Sequence, residues 1–496
     1  MGLRETSRSR SRRVFLVVVV CALCRGAFCQ PWSGSGEANE PYEIWTAAEM
    51  QAIGADANYW DRHFRLMADI DLGGYTGASF NMIGNMNRPF TGVFDGDGHT
   101  ISNFTYSSMD VYAGGLFRVV GDGGGEIRDL GLINPNVAGG MEENWSSLVG
   151  QLRGGMVRNC YVEGGVVSGW GHLGGLVGWN GGTIKDCYMN GHVVGDWVVG
   201  GLVGDNSGMI LRCYASGSVS ALGQVGGLVG SNYGTVSKCY ARCSVWGSDV
   251  YGHVGGLVGD GGAGTISNCY VRGSISGTVL TGGLVGYNSS DISDSYSASI
   301  VVGDDDIGGL IGRDVSGSYS KCFWVVDGNP DMNGIGNTTD PDVTGDSKAN
   351  MQVQETFTSA GWDFVGESEN GTEEIWRLCT SGTDYPRLAW EFLAGDFGCP
   401  DGVDKSDLQV LCSEWLFEGL SSDMWPAEGD GLVNFLDWAI LAEAWQITRD
   451  SEALVDFAEQ WLKRDETLSD IAPLDGDGIV NMVDFAALAD GWAADF

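Results

Sequence analysis

Long apolar runs are missing after residue 29. A bilayer-spanning helix needs about 20 consecutive apolar residues, so no candidate membrane helix follows. Basic residues are scarce too: 27 Lys and Arg stand against 65 Asp and Glu, a formal charge of −38. Phosphate binding needs a basic surface, which argues against nucleic acid as a partner. The same imbalance suits an exported soluble protein, or one that gathers cations. Proline is rare, 10 of 496, although glycine reaches 80. With no G-X-Y period, collagen is excluded. Hydrophobic residues make up 43%, too many for a disordered chain.

The first 29 residues hold a targeting pattern. Arg4, Arg8, Arg10, Arg12 and Arg13 precede an apolar run of ten residues, 14–23. That length suits a signal peptide and falls short of a membrane span. Ala27 and Cys29 satisfy the small-residue rule, which predicts cleavage before Gln30 and a secreted or cell-surface protein. Residues 11–16 also resemble the twin-arginine export signal. An ordinary basic n-region is the competing reading. Residues 26–29 make a poor lipoprotein box, which argues against a lipid anchor.

What the chain has in abundance is one repeated phrase. Residues 200–217 read G-G-L-V-G-D-N-S-G-M-I-L-R-C-Y-A-S-G. Close copies start at Gly174, Gly226, Gly255, Gly282 and Gly308, a looser one at Gly114 and a degenerate one at Ser146. In chain order the starts are 32, 28, 26, 26, 29, 27 and 26 residues apart. A near-fixed period of this size predicts a solenoid. Each unit offers about three short strands separated by Gly or Asn-Gly turns. Such strands are stable only when successive units stack, at about 4.8 Å per rung.

Aligned copies form columns. Leu116, Leu148, Leu176, Leu202, Leu228, Leu257, Leu284 and Leu310 make one. Tyr161, Tyr188, Tyr214, Tyr240, Tyr270, Tyr296 and Phe323 make another. Stacked Leu and stacked Tyr are both expected to fill the core. Cys160, Cys187, Cys213, Cys239, Cys269 and Cys322 share one position, with Ser295 substituting once. They read as small buried hydrophobes, because in-register Cβ vectors do not converge to a disulfide. No C-x-x-C or nearby His pair accompanies them, which argues against zinc. Asn180, Asn206, Asn232 and Asn288 read as a corner ladder, with left-handed backbone and amides bonded along the column. A polar ligand stripe is the alternative.

The unit G-G-L-V-G-x-N-x-G-x-I-x-x-C-Y-x-x-G-x-V resembles the GLUG repeat of bacterial exported and surface proteins. The resemblance covers about 210 residues and eight units. It implies a mainly β fold, a right-handed parallel β-helix. Such repeats also occur in immunoglobulin A metallopeptidases. The zinc motif H-E-x-x-H is absent here, and none of the five histidines precedes Glu, so peptidase activity is not implied.

Residues 30–113 are expected to form an N-terminal cap and the first coils. Thr46 with Glu49 predicts a capping box and a short helix. Alternating apolar residues predict strands over 64–72 and 90–101, with Asp95-Gly96-Asp97-Gly98-His99 as a tight turn rather than a calcium loop. Residues 114–327 are the repeats. Residues 328–395 lose the period: 329–346 reads as a loop, 351–357 as a short helix, and the rest as short strands closing the end.

Residues 396–496 differ in kind, with 23 Asp and Glu against 4 Lys and Arg. Asp407, Leu411 and Trp415 begin a pattern that recurs three times, ending at Trp445, Trp461 and Trp492. Spacings of four and eight put these residues on one helix face, which predicts a small all-α domain of four helices. Two helices follow loops with oxygen ligands at alternate positions: Glu428, Asp430, Asn434 and Asp437, and Asp475, Asp477, Asn481 and Asp484. Such spacing builds a calcium cage. These loops resemble the dockerin type I repeat, an EF-hand-like module, which implies calcium as cofactor and a cohesin-like protein or cell-surface component as partner. Pro426 and Pro473 occupy the usually acidic first ligand place, which predicts weakened calcium affinity. Acidic helices without metal are the alternative. A bridge between Cys399 and Cys412 would substitute for missing ligands.

Two functional readings remain. The first is an exported non-catalytic binding or adhesion scaffold, attached through the dockerin-like module. The second is a carbohydrate-active enzyme, a polysaccharide lyase or glycoside hydrolase, or an accessory of polysaccharide catabolism. Its candidate residues are Asp304, Asp305, Asp306 and Arg313, against a solvated turn. A glycan ligand is suggested by Trp170, Trp197 and Tyr251 at one corner of the coil and Trp179 and Tyr287 at another.

Overall fold

The computed structural model describes residues 30–392, except 110, 122, 141–143, 250 and 251. The described residues fall into two compact units: those from 30 to 234 with 242–248, and 235–241 with those from 249 to 392. Each is parallel β-solenoid, about 10 turns in all, with very few helices among the described residues.

In the first unit, the strands Val149–Leu152, Val177–Asn180, Val203–Asn206 and Val229–Asn232 pair in parallel. Register is set residue on residue: Val149, Val177, Val203 and Val229 stack in one column. The Gly-Gly pair makes this possible. A Cβ on Gly200 would lie 1.9 Å from the carbonyl oxygen of Val203, in the same turn. One on Gly201 would lie 2.0 Å from that of Gly227, one rung on. The second unit repeats the device, with Gly255 at 1.8 Å from the Val258 oxygen and Gly256 at 2.2 Å from that of Gly283. The leucine that follows points inward. Leu116, Leu148, Leu176, Leu202 and Leu228 in the first unit are fully buried, as are Leu257, Leu284 and Leu310 in the second.

The asparagine ladder is present in the first unit. Asn180 Nδ2 donates to Asn206 Oδ1 at 2.7 Å, and Asn206 Nδ2 donates to Asn232 Oδ1 at 2.7 Å. Each Oδ1 also accepts a backbone N–H two residues on, from Gly182, Gly208 and Gly234. Their backbone is not left-handed, however, because they end strands. The left-handed corner lies just before the cysteine, at Asn159, Asp186 and Arg212 in the first unit and Lys238, Asn268, Asp294 and Lys321 in the second.

The cysteines face inward from these corners, and the seven described free ones are buried. Each column thiol donates to the carbonyl two residues back, as from Cys213 to Leu211 at 3.2 Å and from Cys269 to Ser267 at 3.1 Å. Ser295 makes the same bond, to Ser293 at 2.7 Å. The column therefore needs a small donor as well as a small volume, which accounts for the serine.

The tyrosines do not fill the core. Neighbours along a strand point to opposite faces, so an inward Cys sends the next residue out. In the first unit Tyr161, Tyr188 and Tyr214 are half-buried and stack outside the coil, with ring centroids 5.1 and 4.7 Å apart and near-parallel planes. In the second unit Tyr240, Tyr270 and Tyr296 stack likewise but are buried. What buries them is the segment after residue 350. Trp390 stacks on Tyr240 at 5.8 Å, Tyr270 donates to Glu391 at 2.9 Å, and Trp362 and Trp376 pack beside Tyr296. That segment contains the expected short helix, Gln354–Thr358, and an antiparallel pair, Trp376–Arg377 with Arg387–Leu388. It covers a side face of its unit.

Residues 329–346, read as a loop, hold two short strands. Asn333–Ile335 pairs with Asp305–Asp314, and Val343–Asp346 pairs with Cys322–Val325. The expectation failed because these strands have no local alternation and are held only by the preceding rung. Two N-terminal expectations are met, while the strands expected over 64–72 and 90–101 are each split in two, as His63–Leu66 with Ile70–Asp71 and Val93–Asp95 with Thr100–Ser102. Thr46 and Glu49 form the capping box of helix Ala47–Ala55. Asp97 and Gly98 turn through positive φ, with His99 N–H donating to the Gly96 carbonyl at 2.8 Å.

Leu202→Ala should lower stability by about 2–5 kcal/mol through lost burial and a cavity. Asn206→Ala should cost about 1–3 kcal/mol, by leaving the Asn180 and Asn232 amides without their rung partner. Urea denaturation of both variants checks this; an Asn206→Ala chain as stable as the parent would contradict the ladder's role. The buried thiols give a second test. Burial raises the thiols of Cys160, Cys269 and Cys322 in the column and of Cys243 outside it, Cys243 and Cys322 to about 12, so these four should resist thiol reagents at neutral pH. Mass spectrometry after alkylation should find these cysteines labelled only in denaturant.

Candidate functional site

Within the constant frame G-G-L-V-G, two positions of the repeat vary. The first lies two residues before the glycine pair. Tyr112, Asn144, His172, Val198 and Gln224 occupy it in the first unit, and His253, Leu280 and Asp306 in the second. The second position lies five residues after the first glycine. Its occupants stack by strand register: Val119, Gln151, Trp179, Asp205 and Ser231 in the first unit. In the second unit they are Asp260, Tyr287 and Arg313.

In the first unit the two columns line a cavity of about 430 Å³. Its walls are Tyr112, Asn144, Gln151, Arg153, His172, Trp179 and Asp205. All but Arg153 belong to the two columns. His172 Nδ1 sits 3.8 Å from Asp205 Oδ2, across one rung. Arg153 is held by the Met86 carbonyl at 3.1 Å and by Gln151 Oε1 at 3.3 Å. Asn144 is 3% exposed, and its Oδ1 has no hydrogen-bond partner. Its φ of +69° is a conformation that Asn tolerates better than most residues. A buried oxygen without a partner costs about 1–3 kcal/mol.

The second unit pairs the same positions differently. His253 Nδ1 lies 3.2 Å from Asp260 Oδ2, and its ring stacks on Tyr287 with centroids 4.6 Å apart. Asp306 pairs with Arg313. Of the candidate catalytic residues, the structure brings together only those two. Asp304 and Asp305 are exposed. Asp294, by contrast, is a corner residue whose carboxyl is raised by burial, with Lys321 3.8 Å away opposing the shift.

Trp170 and Trp197 are exposed, at 55% and 65%, and Tyr251 lies outside the described residues. The metal candidates Glu428, Asp430, Asn434, Asp437, Asp475, Asp477, Asn481 and Asp484 also lie outside them, as do Cys399 and Cys412 and the N-terminal targeting pattern. Among the described residues, no group of three or more His, Cys, Asp or Glu is placed to hold a metal ion. Cys379 is disulfide-bonded. Sequence reasoning noticed Trp179 and Tyr287 but missed His172, Asn144 and Asp205. The available signal was variability within a constant frame.

No family model matches the chain. It is 35% identical over 156 residues to Halomucin from Haloquadratum walsbyi, covering 30% of this chain and 2% of that protein. It is 34% identical over 138 residues to a protein named "Putative Gly-rich membrane protein" from Evansella cellulosilytica, covering 26% of this chain and 15% of that one. The chain thus spans only a small part of either relative. Among solved structures, one titled as a "putative immunoglobulin A1 protease" from Bacteroides ovatus aligns over 72% of this chain and 94% of that chain. Its sequence identity is 23% and its TM-score 0.38.

Trp170 and Trp197 project from the coil, whereas Trp145 is fully buried, where side chains on Gly114 and Gly139 would strike its ring. Replacing either exposed tryptophan by Ala should shift stability by no more than about 0.5 kcal/mol. Trp145→Ala should cost about 3–5 kcal/mol. Thermal or urea unfolding of the three variants distinguishes the two classes.

Proposed function

We propose that this protein is an exported, non-catalytic binding scaffold. The solenoid presents a ligand groove, and the acidic C-terminal segment attaches the chain to a cohesin-like protein or another cell-surface component. The observation that carries the reading is the cavity lined by Asn144, His172, Trp179 and Asp205, built from the variable positions of a constant frame. That is how repeat proteins make binding faces: the frame supplies stability and the variable positions supply recognition. The acidic cluster that an enzyme reading would use does not converge, since Asp306 is paired with Arg313 while Asp304 and Asp305 face solvent.

In this reading the repeats belong with GLUG-type solenoids, and the segment 396–496 acts as a dockerin-like module. Calcium held by Glu428, Asp430, Asn434 and Asp437, and by Asp475, Asp477, Asn481 and Asp484, would order its helices for docking. The net charge of −38 favours gathering such cations.

Calorimetric titration of the full mature chain with calcium should show saturable heat, abolished in Asp430→Ala/Asp477→Ala. Retention on a cell-envelope preparation should fall on adding chelator and recover with calcium. Release of new reducing ends or unsaturated sugars from a polysaccharide panel, at enzyme-like rates, would overturn the non-catalytic reading.

A further inference from the structure

We infer that the groove of the first unit holds a neutral glycan chain, running along the stacking direction of the rungs. The inference rests on the binding reading above and names its ligand class. Trp179 supplies a flat apolar face, half-buried and braced against Gly181, where a Cβ would fall 2.5 Å from the indole. Sugar rings stack on such faces through their C–H edges. Around it stand planar polar side chains, Asn144, Gln151, Asp205 and Arg153, with His172. Planar groups of this kind meet the paired hydroxyls of a pyranose with paired hydrogen bonds. Asn144, nearly buried in the wall, adds an amide to this polar lining.

Direction follows from register. Gln151, Trp179 and Asp205 are successive occupants of one column, one per rung. Rungs recur at about 4.8 Å, close to the advance of one sugar unit in an extended glycan. A chain laid along the column therefore meets one wall residue per sugar. Neutrality follows from charge. The wall mixes Arg153 with Asp205, so it offers no cationic cradle, and the chain as a whole carries −38. A polyanion would approach against that field.

The test is affinity electrophoresis and calorimetry of the full mature chain at moderate salt. Four neutral probes (xyloglucan, β-1,3-glucan, galactomannan and xylan) are set against polygalacturonate and alginate. At least one neutral glycan should bind and neither polyanion should. Trp179→Ala should weaken binding at least tenfold. Trp179→Phe, which keeps a ring, should weaken it less, and guards against an effect of misfolding. Asn144→Gly, which keeps the left-handed backbone, should weaken it severalfold. Trp197→Ala, outside the groove, should bind like the parent. Binding to the polyanions alone, no binding to any probe, or binding that survives both Trp179→Ala and Asn144→Gly would overturn the proposal. Cleavage of a neutral glycan that depends on Trp179 would support the groove assignment while overturning the non-catalytic reading.

Discussion

A carbonyl oxygen 2.0 Å from where a side chain would begin is the constraint on which the solenoid rests. The Gly201 position must be empty because the next rung passes there, and the Gly200 position because its own turn does. Once both are bare, rungs come close enough for an unbroken parallel ladder. Every later property follows from that closeness. Identical residues stack because the register leaves them no alternative: leucine on leucine inside, tyrosine on tyrosine outside, amide on amide at the strand ends. A single Cβ at either glycine would push a rung away and loosen all three columns together.

The same constraint divides labour within each repeat. Positions that touch the neighbouring rung's backbone, or the core, have almost no freedom. The two positions flanking the glycine pair are freer, and there the sequence varies from Tyr and Asn to His, Gln, Trp and Asp. Recognition can change there without disturbing the stack. The two units show this with the same two columns. In one they build a polar cavity; in the other they are closed by internal pairs, His253 with Asp260 and Asp306 with Arg313. The outer tyrosines show it again, open in the first unit and covered by a tryptophan-bearing segment in the second.

The parts of the fold that repeat were legible, because a period exposes columns that a single copy hides. The leucine core, the amide ladder from Asn180 to Asn232 and the Thr46 capping box could be read in advance. The tyrosine column was misplaced because column reasoning was not combined with strand alternation: Cys213 inside requires Tyr214 outside. The left-handed corner was assigned to asparagine by residue preference, whereas the chain places Arg212 and Lys238 in it, held by the geometry of the turn. The strands Asn333–Ile335 and Val343–Asp346 were illegible, since nothing local encodes them and only the rung before supplies their hydrogen bonds. The cavity was half legible. Trp179 stood out as an aromatic, but His172, Asn144 and Asp205 converge on it only through coiling.

The amide row has a direction. Each Nδ2 donates to the Oδ1 of the rung that follows, never back, and the last member, Asn232, turns its proton to the Gly234 carbonyl of its own rung. Such a row has a start, a finish and an interchangeable middle. Adding or deleting one whole repeat keeps every donor facing an acceptor, while a partial repeat strands an amide in the core. Length is therefore a quantity this protein can change by duplication, in steps of one rung, at little cost in stability. Its reach can evolve separately from the residues that do its recognising.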